Sequence, residues 1–187
     1  MIWFTADTHF FHEGIRTHCN RPFASVDEMN ESIIANWNEC VKDGDLVYHL
    51  GDVAWWKSAV KNEIPLVIGR LKGQIYLIKG NHDKQVAKQN KNLFVSIKDM
   101  HHISHNGQTI VMNHFAMRVW HKSHHNSWHL YGHSHGELPP QGKSFDVGVD
   151  CNYFRPVSID EVCERMKDQP DNINYIERER NDATTSL

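Results

Sequence analysis

The chain has 187 residues, 40% of them apolar and 23% charged, with 20 Lys and Arg against 23 Asp and Glu, a formal net charge of −3 with histidine neutral. Such a chain suits one domain with a real core, which excludes disorder for most of its length and excludes a globally basic, nucleic-acid-coating surface. No run of 18 apolar residues occurs and the Met1-Ile2-Trp3-Phe4 start lacks a basic segment before a long apolar stretch, so neither a membrane span nor a secretory signal is expected.

In chain order, Ile2-Trp3-Phe4-Thr5-Ala6 is a short apolar run that breaks into Asp7-Thr8-His9, a buried strand feeding a loop. Val26, Met29, Ile33 and Trp37 then recur at spacings of three and four behind the capping-box sequence Ser25-Val26-Asp27-Glu28, which predicts a helix ending near Asp43-Gly44. This helix reads as scaffold. Leu46 to Leu50 is a second strand ending in Gly51-Asp52. A helical connection over 55–71, interrupted or restarted at Pro65, leads to a third strand, Gln74 to Ile78, ending in Gly80-Asn81-His82-Asp83. Strand, helix, strand, helix, strand implies βαβ units with right-handed crossovers.

The second half differs. Leu93 to Ile103 and Gln108 to Asn113 flank His105-Asn106-Gly107, a hairpin signal, so the sheet is expected to turn antiparallel there. Trp128 to Tyr131 and Ser144 to Val149 read as further strands, and Ser158-Ile159-Asp160-Glu161 is a second capping box opening a final helix to about Lys167. One domain over 1–168 and a polar tail over 169–187 are expected, the last residues being mobile. Cys19, Cys40, Cys151 and Cys163 are widely spaced with no C-x-x-C, which fits reduced thiols and a cytoplasmic location.

Histidine is in excess, with 15 residues, which points to metal ligands or acid–base groups. Five segments place His, Asp or Asn just after a strand: Asp7-Thr8-His9, Gly51-Asp52, Gly80-Asn81-His82-Asp83, Asn113-His114 and Gly132-His133-Ser134-His135. Loops at the C-terminal ends of strands share one sheet edge, where ligand sites form. Residues i and i+2 of an extended segment point the same way, so Asp7 with His9, and His133 with His135, can each offer two ligand atoms to one place. A glycine before the polar group in three of the five segments fits close backbone approach.

The ordered set D-x-H, G-D, G-N-H-D, H and G-H-x-H resembles the pattern of the calcineurin-like metallophosphoesterase superfamily, with no departure at the core motif positions. The resemblance covers roughly residues 1–152, and Arg21-Pro22-Phe23, Asn36-Trp37-Asn38 and the text around Tyr48 to Asp52 resemble its small single-domain bacterial and phage members. It implies a four-layer α/β/β/α sandwich, two mixed β-sheets flanked by helices, around a dinuclear metal centre. In it Asp7, His9 and His135 would hold one ion, Asn81, His114 and His133 the other, and Asp52 would bridge them. It further implies attack of a metal-bridging hydroxide on phosphorus, His82 assisting the departing alkoxide and Asp83 orienting His82. Two divalent transition-metal ions are expected: four imidazoles suit Mn, Fe, Zn, Ni or Co over Mg, and the resemblance favours Mn.

His12, Arg21 and Arg118 are candidates for substrate contact, each arginine being equally suited to a structural ion pair. Trp55, Trp56, Trp120 and Trp128 could stack on a base or pack in the core, whereas Trp3 and Trp37 read as core. The histidines outside the motifs, His101, His102, His105, His121, His124, His125 and His129, read mostly as structural or surface residues, with His124-His125 able to line the cleft. The function expected is a metal-dependent phosphodiesterase acting on a nucleotide-like or other small diester. The alternatives are a phosphomonoesterase, a nuclease or RNA-end phosphodiesterase, and, less favoured, a non-enzymatic scaffold or metal-binding protein.

Overall fold

A computed structural model describes residues 1–177. The first half runs β1 (Ile2–Thr5), α1 (Glu13–His18), α2 (Val26–Cys40), β2 (Leu46–His49), α3 (Ile64–Ile68), β3 (Gln74–Ile78), α4 (Lys84–Gln89) and β4 (Ser96–Lys98). The second runs β5 (Met100–His105), β6 (Gln108–Asn113), β7 (Trp128–Tyr131), β8 (Ser144–Asp146), β9 (Val157–Ser158) and α5 (Ile159–Asp168). They form two mixed sheets flanked by helices. The first has order β4-β3-β2-β1-β9, parallel except for β9, and the second β5-β6-β7-β8, parallel except for β5.

Strand alternation divides the core in two. Val47, Ile75 and Leu77 face the helices, meeting Met29, Ile33 and Trp37 of α2 and Ile64 and Ile68 of α3. Phe4, Tyr48, Leu50 and Ile78 face the second sheet, meeting Ile110, Met112, Leu130 and Phe145, with Ile159, Val162 and Met166 of α5 closing this layer. Burial on both faces is why β1, β2 and β3 read as continuous apolar runs rather than alternating ones. Trp37 is fully buried and donates its indole N–H to the Lys72 carbonyl at 2.9 Å, so both its bulk and its polar edge are satisfied.

Both capped helices begin where expected. Ser25 Oγ accepts the Glu28 N–H, although the Glu28 carboxylate turns back to Ala24 N rather than to Ser25 N. Ser158 and Glu161 close a full reciprocal box. The helical connection expected over 55–71 is reduced to α3, with Pro65 in its first turn, where the missing N–H costs nothing; residues 58–63 form turns. The Leu93 to Ile103 run is divided: Ser96–Lys98 joins the first sheet parallel to β3, and the chain crosses to the second sheet before the Asn106-Gly107 hairpin. The strand expected over 144–149 stops at Asp146, because a 3₁₀ turn, Val149–Cys151, takes the chain out of the sheet. Helices α1 and α4, six residues each, carry too short a pattern to be read from periodicity.

A segment over 115–127 covers the outer face of the second sheet. His129, fully buried there, donates from Nδ1 to the Val111 carbonyl at 3.1 Å and accepts the Met117 N–H at Nε2 at 3.2 Å. Residues 169–177 dock on this segment instead of trailing as a polar tail: Asn172 is buried, donates to the Ser123 and Ser127 carbonyls, and accepts the Lys143 N–H. The residues from Asn181 to Leu187, expected to be mobile, lie outside the described residues. All four cysteines are free, and among the described residues no helix is long and apolar enough to cross a membrane.

Candidate metal centre

Each of the five motif segments leaves the C-terminal end of a strand: β1, β2 and β3 in the first sheet, β6 and β7 in the second. The two sheets bring them to one edge. Asp7, His9 and His135 form one group whose ligand atoms all lie within 4.8 Å of one another, and Asp52, His114 and His133 form a second. Asn81 joins the second group, its Oδ1 3.0 Å from His114 Nε2. All seven ligand positions expected from the sequence are thus gathered.

The chain reaches this edge under strain. Asp7, His9, Asp52, His133 and His135 all have positive φ, between 48° and 68°, a region that non-glycine residues enter at a cost of order 1 kcal/mol each and that clusters at functional sites. Two glycines allow the approach. Gly51 has φ of 99°, and a Cβ there would lie 2.5 Å from the Gly80 nitrogen. At Gly132 a Cβ would meet Ala6 Cβ at 2.5 Å and Asp7 Oδ2 at 2.6 Å.

Hydrogen bonds fix how each ligand is presented. Asp7 Oδ2 accepts the His133 N–H at 2.8 Å and Asp52 Oδ1 accepts the His82 N–H at 2.9 Å. His114 donates from Nδ1 to the Leu50 carbonyl at 2.7 Å and His135 pairs through Nδ1 with Asp150 Oδ2 at 2.7 Å. Each bond commits one ring nitrogen, leaving the other lone pair for the centre. Around Asp52 Oδ2, the Nε2 atoms of His114, His9 and His82 stand at 3.5, 3.6 and 3.9 Å, too long for good hydrogen bonds.

The centre fits divalent cations on its own chemistry. Asp7 Oδ1 and His9 Nε2 are buried and have no hydrogen-bond partner among the described residues, an arrangement that costs stability unless something else binds them. Burial pushes the Asp7 carboxyl up to about 8 and the His9 imidazole down to about 2. Although burial opposes it, His114 is held up at about 9 by the Asp52 and Asp7 carboxylates. Burial also opposes the ionised form of Asp52, but His114 and the His82 N–H hold its carboxyl well below the usual range. Protons occupy the positions that cations would neutralise.

Two expected roles are corrected. The Asp83 carboxylate makes no contact with the His82 ring: it is fully buried and accepts three backbone N–H groups, from Asp52, Val53 and Gly80, at 2.7–2.9 Å. It stitches the loops after β2 and β3 together and positions His82 only through the backbone. Arg21 is not a substrate contact, because its side chain is 0% exposed and its donors are taken by Asp150 and by the Asp7 and Thr8 carbonyls.

A cavity of about 500 Å³ opens over the centre, lined by His9, Asp52, Asn81, His82, His133 and His135 together with His12, Gly14, Ile15 and His18 of the α1 region. His12 therefore reaches the site. Its ring stacks on Trp55 at 4.1 Å, and Trp55 in turn lies 4.9 Å from the His82 ring. Arg118, exposed after β6, and His124-His125 do not line this cavity. Asp150 was missed by sequence reasoning, since a lone Asp after a Gly-Val pair carries no signal before the fold brings it to His135. His18 was missed with the short helix α1 that presents it.

The calcineurin-like phosphoesterase family model matches residues 1–99. An uncharacterised protein of Methanocaldococcus jannaschii is 37% identical over 166 residues, 85% of this chain and 87% of that protein. A crystal structure of a protein of unknown function from Aquifex aeolicus superimposes with a TM-score of 0.71 at 26% identity, covering 88% of this chain and 98% of that one. The fold and the gathered ligand groups define a phosphoesterase-type hydrolase. The chain belongs to the calcineurin-like phosphoesterase family.

Proposed function

We propose that the protein is a two-metal phosphodiesterase that hydrolyses a small, nucleotide-like diester. In this reading Asp7, His9 and His135 hold one ion, Asn81, His114 and His133 the other, and Asp52 both. Bound there, the ions supply Lewis-acid polarisation of the phosphoryl group and lower the pKa of a water. Four imidazoles and an amide among the ligands favour Mn or another first-row transition metal over Mg.

The observation that carries the diester preference is the charge of the cavity. With two divalent ions held against Asp7 and Asp52 and one of their waters ionised, the centre would present about +1 to the substrate, and among the described residues lining the cavity none is Lys or Arg. A phosphodiester carries one negative charge, a monoester close to two at neutral pH. The protein's own groups then have separate tasks. His82, partly exposed on the cavity wall, moves a proton from Nε2 to the departing oxygen. The His12–Trp55 stack supports the His82 ring, and Asn81 and His133 present their side chains at the open rim.

Hydrolysis of bis-p-nitrophenyl phosphate and p-nitrophenyl phosphate by metal-stripped protein, with Mn²⁺ restored and His82→Asn as control, tests this. Metal- and His82-dependent preference for the diester is expected. Preference for the monoester would make the protein a phosphomonoesterase, and no turnover of either would refute the reading for such esters.

A further inference from the structure

Behind the first ligand group lies a chain of charges that no motif contains. Arg21, 0% exposed, donates from Nε and Nη2 to the two oxygens of Asp150 at 2.7 and 2.8 Å. Asp150 Oδ2 also pairs with His135 Nδ1 at 2.7 Å. The same guanidinium donates to the Asp7 carbonyl at 2.7 Å and the Thr8 carbonyl at 3.0 Å. One buried cation thus fixes the backbone beside Asp7 and, through Asp150, the ring of His135.

Cys19, His135 and Asp150 also lie close enough together to suggest a third metal group. The geometry argues against it. Both Asp150 oxygens face the Arg21 guanidinium, so an added cation would meet a fixed positive charge at about hydrogen-bond range. Burial pushes the Cys19 thiol up to about 11, away from the thiolate that binds metal. What remains is an arginine–carboxylate–imidazole relay ending on a candidate ligand, the arrangement by which an outer carboxylate sets a histidine's tautomer.

We propose that Asp150, locked by Arg21, is a positioning residue that holds His135 with Nδ1–H turned away from the centre and Nε2 turned toward the ion shared with Asp7 and His9. This rests on the two-metal reading above. The relay serves one of the two ion sites: among the described residues the side chain of Asp150 hydrogen-bonds Arg21 and His135, not His114 or His133, and His114 is oriented by the Leu50 carbonyl instead. Loss of the relay therefore weakens one ion and spares the other.

The test is Mn²⁺ binding to stripped full-length protein, followed by calorimetry and by electron paramagnetic resonance, which separates a spin-coupled pair from an isolated ion. Asp150→Asn keeps the shape and removes the charge; a second variant, Arg21→Gln with Asp150→Asn, removes both charges so that no buried guanidinium is left unpaired. Thermal melts establish that each variant is folded. Two Mn²⁺ in the parent protein, and about a 10–100-fold weaker affinity for one of them in both variants with an isolated-ion spectrum at limiting metal, are expected. Two Mn²⁺ at unchanged affinity in a folded variant would overturn the positioning role alone. Parent protein that binds no Mn²⁺ would overturn the two-metal reading and the relay with it.

Discussion

Replacing Asp7 by Asn should stabilise the metal-free protein while weakening the ion that Asp7 would hold with His9 and His135. Asp7 is completely buried, and burial raises its carboxyl from 3.8 to about 8. The unfolded chain ionises this group freely above pH 4 and the folded chain does not, so stability is lost as pH rises through that window and the full cost is reached above pH 8. At pH 7 the linkage cost is about 4 kcal/mol, and it grows by about 2 kcal/mol between pH 6 and pH 8. Asn is neutral, and its Oδ1 can still accept the His133 N–H that Asp7 Oδ2 accepts. Even half the cost at pH 7 amounts to a Tm about 4–8 °C higher for Asp7→Asn in a chain of this size. The comparison must be made between the two proteins at each pH, because buried histidines such as His9 shift the absolute curve the other way. Differential scanning calorimetry of stripped protein at pH 6, 7 and 8 measures it. Adding Mn²⁺ at one hundred times its Kd should stabilise the parent protein by about 2.7 kcal/mol through the ion that Asp7 holds, a gain Asp7→Asn lacks, and so narrow the difference between the two. An Asp7→Asn variant no more stable than its parent, or an advantage that does not widen from pH 6 to pH 8, would refute the reasoning.

His82→Asn should retain both ions by elemental analysis and lose about 10²–10⁴-fold in turnover of a diester with a poor leaving group, whereas Asp52→Asn should lose metal and turnover together; equal metal loss in the two would remove His82 from its catalytic role. Asp83→Ala leaves two buried backbone N–H groups, of Asp52 and Val53, and the partly buried one of Gly80 without their acceptor, so urea unfolding should show a loss of about 3 kcal/mol or more, and a silent substitution would contradict the stitching role. Burial pushes His129 down to about 4. Its neutral form is favoured while the unfolded chain titrates near 6.5, so its contribution is intact above pH 6.5 and lost as pH falls toward 4. At pH 5 the loss is about 2 kcal/mol, and His129→Gln should flatten the acid limb of the stability curve between pH 6.5 and pH 4; an unchanged limb would exclude His129 as its source.

The candidate ligands were legible because each is a polar residue set against an apolar strand end, and a change of pattern of that kind survives in one dimension. Asp7 and His9 follow β1 as His133 and His135 follow β7, and the i, i+2 spacing placed each pair together. The extended-segment reason for that spacing was incomplete: all four residues have left-handed backbone, a conformation that composition does not announce. The role of Asp83 was misread, and that of Arg21 left open between substrate contact and structural ion pair, for a shared reason. Charged residues beside a metal motif suggest chemistry, yet both side chains turn inward, Asp83 to backbone N–H groups and Arg21 to Asp150 and backbone carbonyls, contacts that depend on loops brought together from β2 and β3 or from β1 and β8. The short elements α1, α4 and β9 were invisible because two turns of helix or two residues of strand carry no period. Docking of residues 169–177 depends on Asn172 finding the Ser123 and Ser127 carbonyls, a contact that a polar sequence neither suggests nor forbids.

The division of the candidate ligands between the two sheets has a mechanical consequence. Asp7, His9, Asp52 and Asn81 ride on the first sheet and His114, His133 and His135 on the second, so ions at this edge would act as a clasp across the sandwich. With the clasp closed, prying the sheets apart breaks coordinate bonds as well as apolar contact, and the two halves open as one unit. With it open, β5 to β8 can part from the first sheet at lower cost. Amide exchange in β6 and β7 would then be the first to quicken when metal is withdrawn.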